Sequence, residues 1–154
     1  MKDFDIHVKG TGKVTLFGTD NGAITAPVES RIDSDKYNCD IDINTDEDII
    51  IGVPSDTKHI EIAIADTSLI IKDLDFDNLE IDAKGSVKIK AVNISGKLDI
   101  NLSDSVADLS LPEGFTFRTV TEGKNNRLNN SRTESASAAN IIELNGKNSV
   151  LNIR

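Results

Sequence analysis

Four stretches of nineteen residues decide how this chain is read: IDINTDEDIIIGVPSDTKH at 41–59, IEIAIADTSLIIKDLDFDN at 60–78, LEIDAKGSVKIKAVNISGK at 79–97 and LDINLSDSVADLSLPEGFT at 98–116. Their first position reads Ile41, Ile60, Leu79 and Leu98, and their third is isoleucine throughout, as Ile43, Ile62, Ile81 and Ile100. Between these stand Asp42, Glu61, Glu80 and Asp99. The seventh and eighth positions turn polar or small, as Glu47-Asp48, Asp66-Thr67, Gly85-Ser86 and Asp104-Ser105. A second run follows, with Ile49 and Ile51, Ile70, Val87 and Ile89, and Val106 in the places expected to face inward. Alternation of apolar and polar residues is the mark of a half-buried strand, and no stretch carries apolar residues at helical spacing. Alternation by itself matches only at even offsets, so agreement at an odd one reports a repeat. A unit this short cannot bury its apolar face alone, and similar units are expected to stack around a shared core.

The sequence therefore predicts an all-β fold, a β-solenoid or β-roll of stacked turns of about nineteen residues with irregular β caps at both ends. Whether the coil has two or three sides stays open. One domain over 1–154 accommodates everything: an N-terminal β cap at 1–40, punctuated by Gly10, Gly12, Gly18, Gly22 and Pro27, the repeats at 41–116, and a C-terminal part at 117–154. In that last part TEGKNNRLNNSRTESASAAN, at 121–140, reads as a mobile polar loop. IIELNGKNSVLNIR, at 141–154, reads as a hairpin turning at Asn145-Gly146.

Charge narrows the partners. The net charge of -9 opposes nucleic acid, whose phosphates need clustered Lys and Arg, and opposes docking on an anionic membrane through a basic patch. Acidity is concentrated at 41–78, which holds ten acids against two bases. No apolar stretch approaches the eighteen or more residues of a membrane span, and the start MKDFDIHVKG lacks the apolar segment of a signal peptide, so membrane insertion is not expected. Cys39 is the single cysteine, which leaves stability to packing and offers no zinc-binding spacing.

Candidate chemistry is sparse. His59 follows Cys39 and Asp40 by about one repeat, but no oxyanion donor or third member completes a nucleophilic dyad. A polysaccharide-cleaving groove would need paired carboxylates, arginine and aromatic platforms; no arginine occurs between Arg31 and Arg118, and tryptophan is absent. The expectation is that the chain is not an enzyme and takes no cofactor. The most distinctive polar feature is the row Asp42, Glu61, Glu80 and Asp99, flanked by inward isoleucines and so expected to form an outward acidic ladder. Stacked like charges cost energy unless a lysine or a cation compensates them. Calcium takes six to eight converging oxygens, whereas a straight ladder offers one carboxylate per rung, so a solvated ladder with Lys58, Lys84 or Lys97 nearby is favoured over a metal site.

With Val53-Pro54-Ser55-Asp56, the strand HIEIAIAD, and the units LEIDAKGSVKIK and LDINLSDSVADLSLPEG, the chain resembles the bacterial "putative adhesin" domains over roughly 41–154. Gly85-Ser86-Val87-Lys88-Ile89 matches their small-residue turn, while Asp66 and Asp104 stand where glycine is usual. The resemblance implies a β-solenoid on bacterial envelope or secreted proteins, with a surface ligand as partner and a cell-surface or extracellular location. Its functional expectation is a non-enzymatic binding scaffold. The alternatives are an envelope-associated regulatory or structural module that binds another protein and, more distantly, a polysaccharide-active enzyme.

Overall fold

The alternating pattern produces strands almost everywhere and no helix among the described residues: 66% of the chain is strand. A computed structural model describes residues 2–154. Its strands in chain order are β1 (Asp3–Lys9), β2 (Val14–Thr19), β3 (Arg31–Ser34), β4 (Asn38–Asn44), β5 (Ile49–Pro54), β6 (His59–Ala65), β7 (Ser68–Ser110), β8 (Arg118–Thr121), β9 (Arg127–Asn130), β10 (Ile141–Lys147) and β11 (Val150–Ile153). A straight strand of the length of β7 would run on the order of 140 Å. It bends instead at residues with left-handed backbone, among them Asp73, Asn93 and Asp104. All six non-glycine residues with positive φ among the described residues are Asp or Asn, the side chains that tolerate this region best. Asp66 and Asp104 therefore do at their corners what glycine does elsewhere.

The order of pairing corrects the predicted fold. The strands form one eleven-stranded sheet with the path β3-β4-β1-β6-β7-β10-β8, while β5-β2-β7-β11-β9 run as a second ladder joined to it through β7. This is a curled half-barrel with mixed strand order and not a β-solenoid of regular stacked turns. The nineteen-residue offset is kept between β6 and the start of β7, as Ile60 with Leu79 and Ile62 with Ile81, and is lost between the first two units. The unit beginning at Ile41 is separated from the next by β1, which pairs in parallel with β4 on one side and β6 on the other. Ile41 aligns with Ile6 and through it with Ile62, so Ile43 belongs to the column of Val8 and Ile64.

The terminal segments do more than cap the ends. β1 and β2 lie inside the sheet, β2 between β5 and β7. The stretch 121–140, read as a mobile loop, contributes β9 to the sheet, paired with β11, and the end of β8. The final segment is no hairpin: β10 and β11 each pair in parallel with β7, and Gly146 sits within β10 opposite Leu102. Two residues expected to point inward point out, Ile70 and Val106, which are 36% and 46% exposed, while Leu69, Ile71, Ala107 and Leu109 fill the core beside them. Around Ile70 apolar residues occupy both faces, and around Val106 the inward neighbours are the small Ser105 and Ala107, so alternation alone does not fix the phase there.

One apolar core runs the length of the sheet. Ile6, Ile41, Ile62, Ile81, Ile100 and Leu144 are fully buried, with Phe117 closing the C-terminal end. Parallel strands buried on one face need both edges managed. At one edge β3 covers β4 in the sheet's antiparallel pairing. At the other, amide side chains form ladders: Asn129 donates to Asn152 at 2.9 Å and Asn152 to Asp108 at 2.9 Å, while Asn125 donates to Asn148 at 3.1 Å and Asn148 to Asp104 at 3.0 Å.

Candidate functional site

Residues that alternate with the core columns form rows on the outer face. Phe4 and Ile6 point inward, so Asp5 points out, and the register sets it beside Asp40 on β4 and Glu61 on β6. Glu61 in turn lies beside Glu80. Asp99 stands next to Glu143 of β10, close enough to Glu80 and Asp82 to feel their charges. The outward acidic row thus contains three of the four expected residues, Glu61, Glu80 and Asp99. Asp42 lies in the adjacent row, opposite His7. The two ring nitrogens of His7 are each 3.3 Å from a carboxylate, one of Asp5 and one of Asp42.

The face is more convergent than a straight ladder. Carboxylate oxygens of Glu61, Glu80 and Asp82 lie within 4.8 Å of one another, because Asp82 leans across from the next row. Glu80 also accepts a hydrogen bond from the Asn101 amide at 2.8 Å. The one lysine engaged in the row is Lys97, which covers and pairs with the buried Glu143 and is held above its usual range chiefly by that bond. Lys58, the other lysine near the row's end, reaches Asp75 at 3.7 Å, and Lys84 makes no ion pair among the described residues.

Two acids of the row, Glu61 and Asp99, hold their protons to higher pH than usual. Burial, a hydrogen bond shared with Asp82 and the charges of Asp5 and Glu80 push Glu61 up to about 7. Burial and the charge of Glu143 raise Asp99 to about 6 against the opposing pull of Lys97, and its Oδ1 is buried with no hydrogen-bond partner among the described residues. Folded-state values above those of the unfolded chain mean that the fold binds protons the unfolded chain has released. Their stabilising contribution is complete below about pH 4 and is lost as pH rises through about 6 and 7. The melting temperature is expected to be higher at pH 5 than at pH 8. Glu61→Gln should raise it at pH 8 and flatten the slope; a slope unchanged in that variant would remove Glu61 as its source.

Three carboxylates, each offering one oxygen to a common point, are half or fewer of the oxygens calcium takes. Millimolar calcium is expected to raise the melting temperature no more than magnesium at equal ionic strength. A calcium-specific rise abolished by Glu61→Gln or Glu80→Gln would make this cluster a cation site.

The other candidates separate in space. Cys39 is buried and points into the core beside Phe4, whereas His59 is exposed on the opposite face, with β1 between their strands. They form no dyad. Asp5, His7 and Asp82 belong to the outer face, and the sequence gives neither Asp5 nor Asp82 a place in a site and His7 no partner. Asp5 and His7 lie in a segment taken for a cap, and Asp82 lies one row away from the repeat position that drew attention.

The fold has a relative among solved structures. The chain is similar to a "putative cell adhesion protein" from Clostridium sporogenes ATCC 15579, with a TM-score of 0.54 and 12% identity, over 99% of this chain and 92% of that one. No protein-family model matches the chain, and no curated protein matches it. The likeness of fold runs over nearly the whole length of both chains and is not confined to the residues at 41–154. No helix among the described residues is long and apolar enough to cross a membrane.

Proposed function

We propose that this domain is a non-enzymatic, adhesin-like binding scaffold that works at the bacterial cell surface. The observation that supports it most is the likeness of fold, over 99% of the chain, to a protein described as a "putative cell adhesion protein". The outer face suits such a role. Rigid parallel strands hold Asp5, Glu61, Glu80 and Asp99 at fixed spacing with little internal neutralisation, a surface complementary to cationic groups on a ligand. Such binding would weaken as Glu61 and Asp99 take up protons below about pH 7 and 6.

Antibody labelling of intact cells, together with binding of domain-coated beads to host cells or matrix, tests this reading. Labelling of unpermeabilised cells and bead binding reduced by Glu61→Gln/Glu80→Gln are expected. Labelling only after permeabilisation would overturn surface display in favour of an envelope-associated protein-interaction module. Bead binding that neither exceeds uncoated controls nor responds to the double variant would overturn the adhesive role.

A further inference from the structure

Beside the acidic row, the outer face holds a shallow groove of about 680 Å³ that the acidic row does not enter. Two neighbouring outward rows make it. One runs through Ala63, Asp82 and Asn101, and the other through Ala65, Lys84 and Ser103, with Ala63 beside Asp82 and Ala65 beside Lys84 by strand register. Alanines on β6 leave the backbone of Ile64 and Ala83 open as a floor. At the far end β10 adds Lys147, beside Ser103, and Asn145 precedes it in the first row.

The two rows differ in sign where it matters. Asp82 belongs to a carboxylate cluster that lacks a cation, and Lys84, two residues along the same strand, makes no ion pair among the described residues. Side chains two apart on a strand share a face and lie too far along it to neutralise each other well. Now consider a two-fold axis that runs across the strands between the two rows. It carries each row of one molecule onto the other row of a second molecule, strand over antiparallel strand. Ala63 then meets Ala65, Asp82 meets Lys84, and Lys84 meets Asp82, giving two identical ion pairs around an alanine contact that lets the sheets approach closely. A two-fold axis along the strands would instead lay the acidic row on itself, which like charges oppose.

We propose that the occupant of this groove is a second copy of the chain, joined by an isologous contact in which Asp82 of each copy pairs with Lys84 of the other. Glu61 and Glu80, whose carboxylates lie within 4.8 Å of that of Asp82, border the contact and add to the negative charge that faces the partner's Lys84, while the rest of the acidic row runs along the two rims of the dimer. Self-association of this kind does not depend on the adhesive reading and is measured separately from it.

Sedimentation analysis of the unmodified chain from low to high micromolar concentration tests the proposal. A reversible dimer is expected. Asp82→Lys, which sets lysine against Lys84, should weaken it about tenfold or more, and the exchange Asp82→Lys/Lys84→Asp should restore it because the pairing is reciprocal. Ala65→Arg, which fills the groove from an outward position, should leave a folded monomer by circular dichroism. A chain that is monomeric at high micromolar concentration, a dimer indifferent to both Asp82→Lys and Ala65→Arg, or an exchange that fails to restore association would each overturn it. Monomeric protein that instead binds a lysine-rich peptide through Asp82 would overturn it in favour of a basic partner segment.

Discussion

Ile81→Ala is expected to destabilise the domain by about 2–5 kcal/mol, while the adjacent Glu80→Ala changes stability by less than about 0.5 kcal/mol or raises it slightly. Ile81 is fully buried, paired in register with Ile62 and within the core column that runs from Ile41 to Leu144. A truncation there loses the burial of the removed carbons and leaves a void that parallel strands on both sides cannot close without moving the ladder. Glu80 sits on the other face amid Glu61 and Asp82, so removing it relieves like-charge crowding and gives up one hydrogen bond from Asn101. Urea denaturation of the two variants decides the matter. Equal losses would contradict the assignment of inner and outer faces, and a loss confined to Glu80→Ala would reverse it.

Gly146→Ala is expected to cost roughly 2–5 kcal/mol, the sum of backbone strain and overpacking. Gly146 has φ of +103°, and a Cβ built on it would lie 1.9 Å from the carbonyl oxygen of Leu102. Its own carbonyl accepts bonds from the Lys124 backbone at 3.0 Å and from the Asn126 amide at 2.9 Å, so the residue cannot turn away without loosening the next strand. Gly114 supplies the control: its φ is +74° with no atom within 4 Å of a built Cβ, so Gly114→Ala should cost only about 1–2 kcal/mol. Thermal melts in which both variants lose the same stability would show that the close approach to Leu102 carries no weight.

The strands, the inward isoleucines other than Ile70 and the polar corners were legible because each is written locally. Alternation around Ile60, Ile62 and Ile64 or Leu98, Ile100 and Leu102 leaves no other reading, and Asp66 and Asp104 marked turns correctly although they hold the left-handed conformation themselves. The neighbour relations were not legible. Two units can resemble each other without touching, and a shift of two residues keeps every side chain on its face. The alignment of Ile41 with Ile62 in place of Ile60 was therefore invisible to any hydrophobic pattern. The same shift moved Asp42 out of the acidic row and brought Asp5 into it, from a segment with only ordinary strand character. Asp82 was missed for a different reason: its part in the cluster comes from a side chain leaning between rows, which strand periodicity does not encode.

The placement of β1 between β4 and β6, and of β2 between β5 and β7, bears on how the chain reaches its native state. The strands made first have both of their neighbours made later, so early residues emerging during synthesis find no template and remain unpaired. Folding must wait for loops spanning tens of residues to close before either strand gains a partner, an entropic delay that local zipping would avoid. Refolding followed by stopped flow is accordingly expected on the slow side for a domain of this size. Strand edges that stay open during that delay make the nascent chain, more than the finished fold, the species most exposed to mispairing.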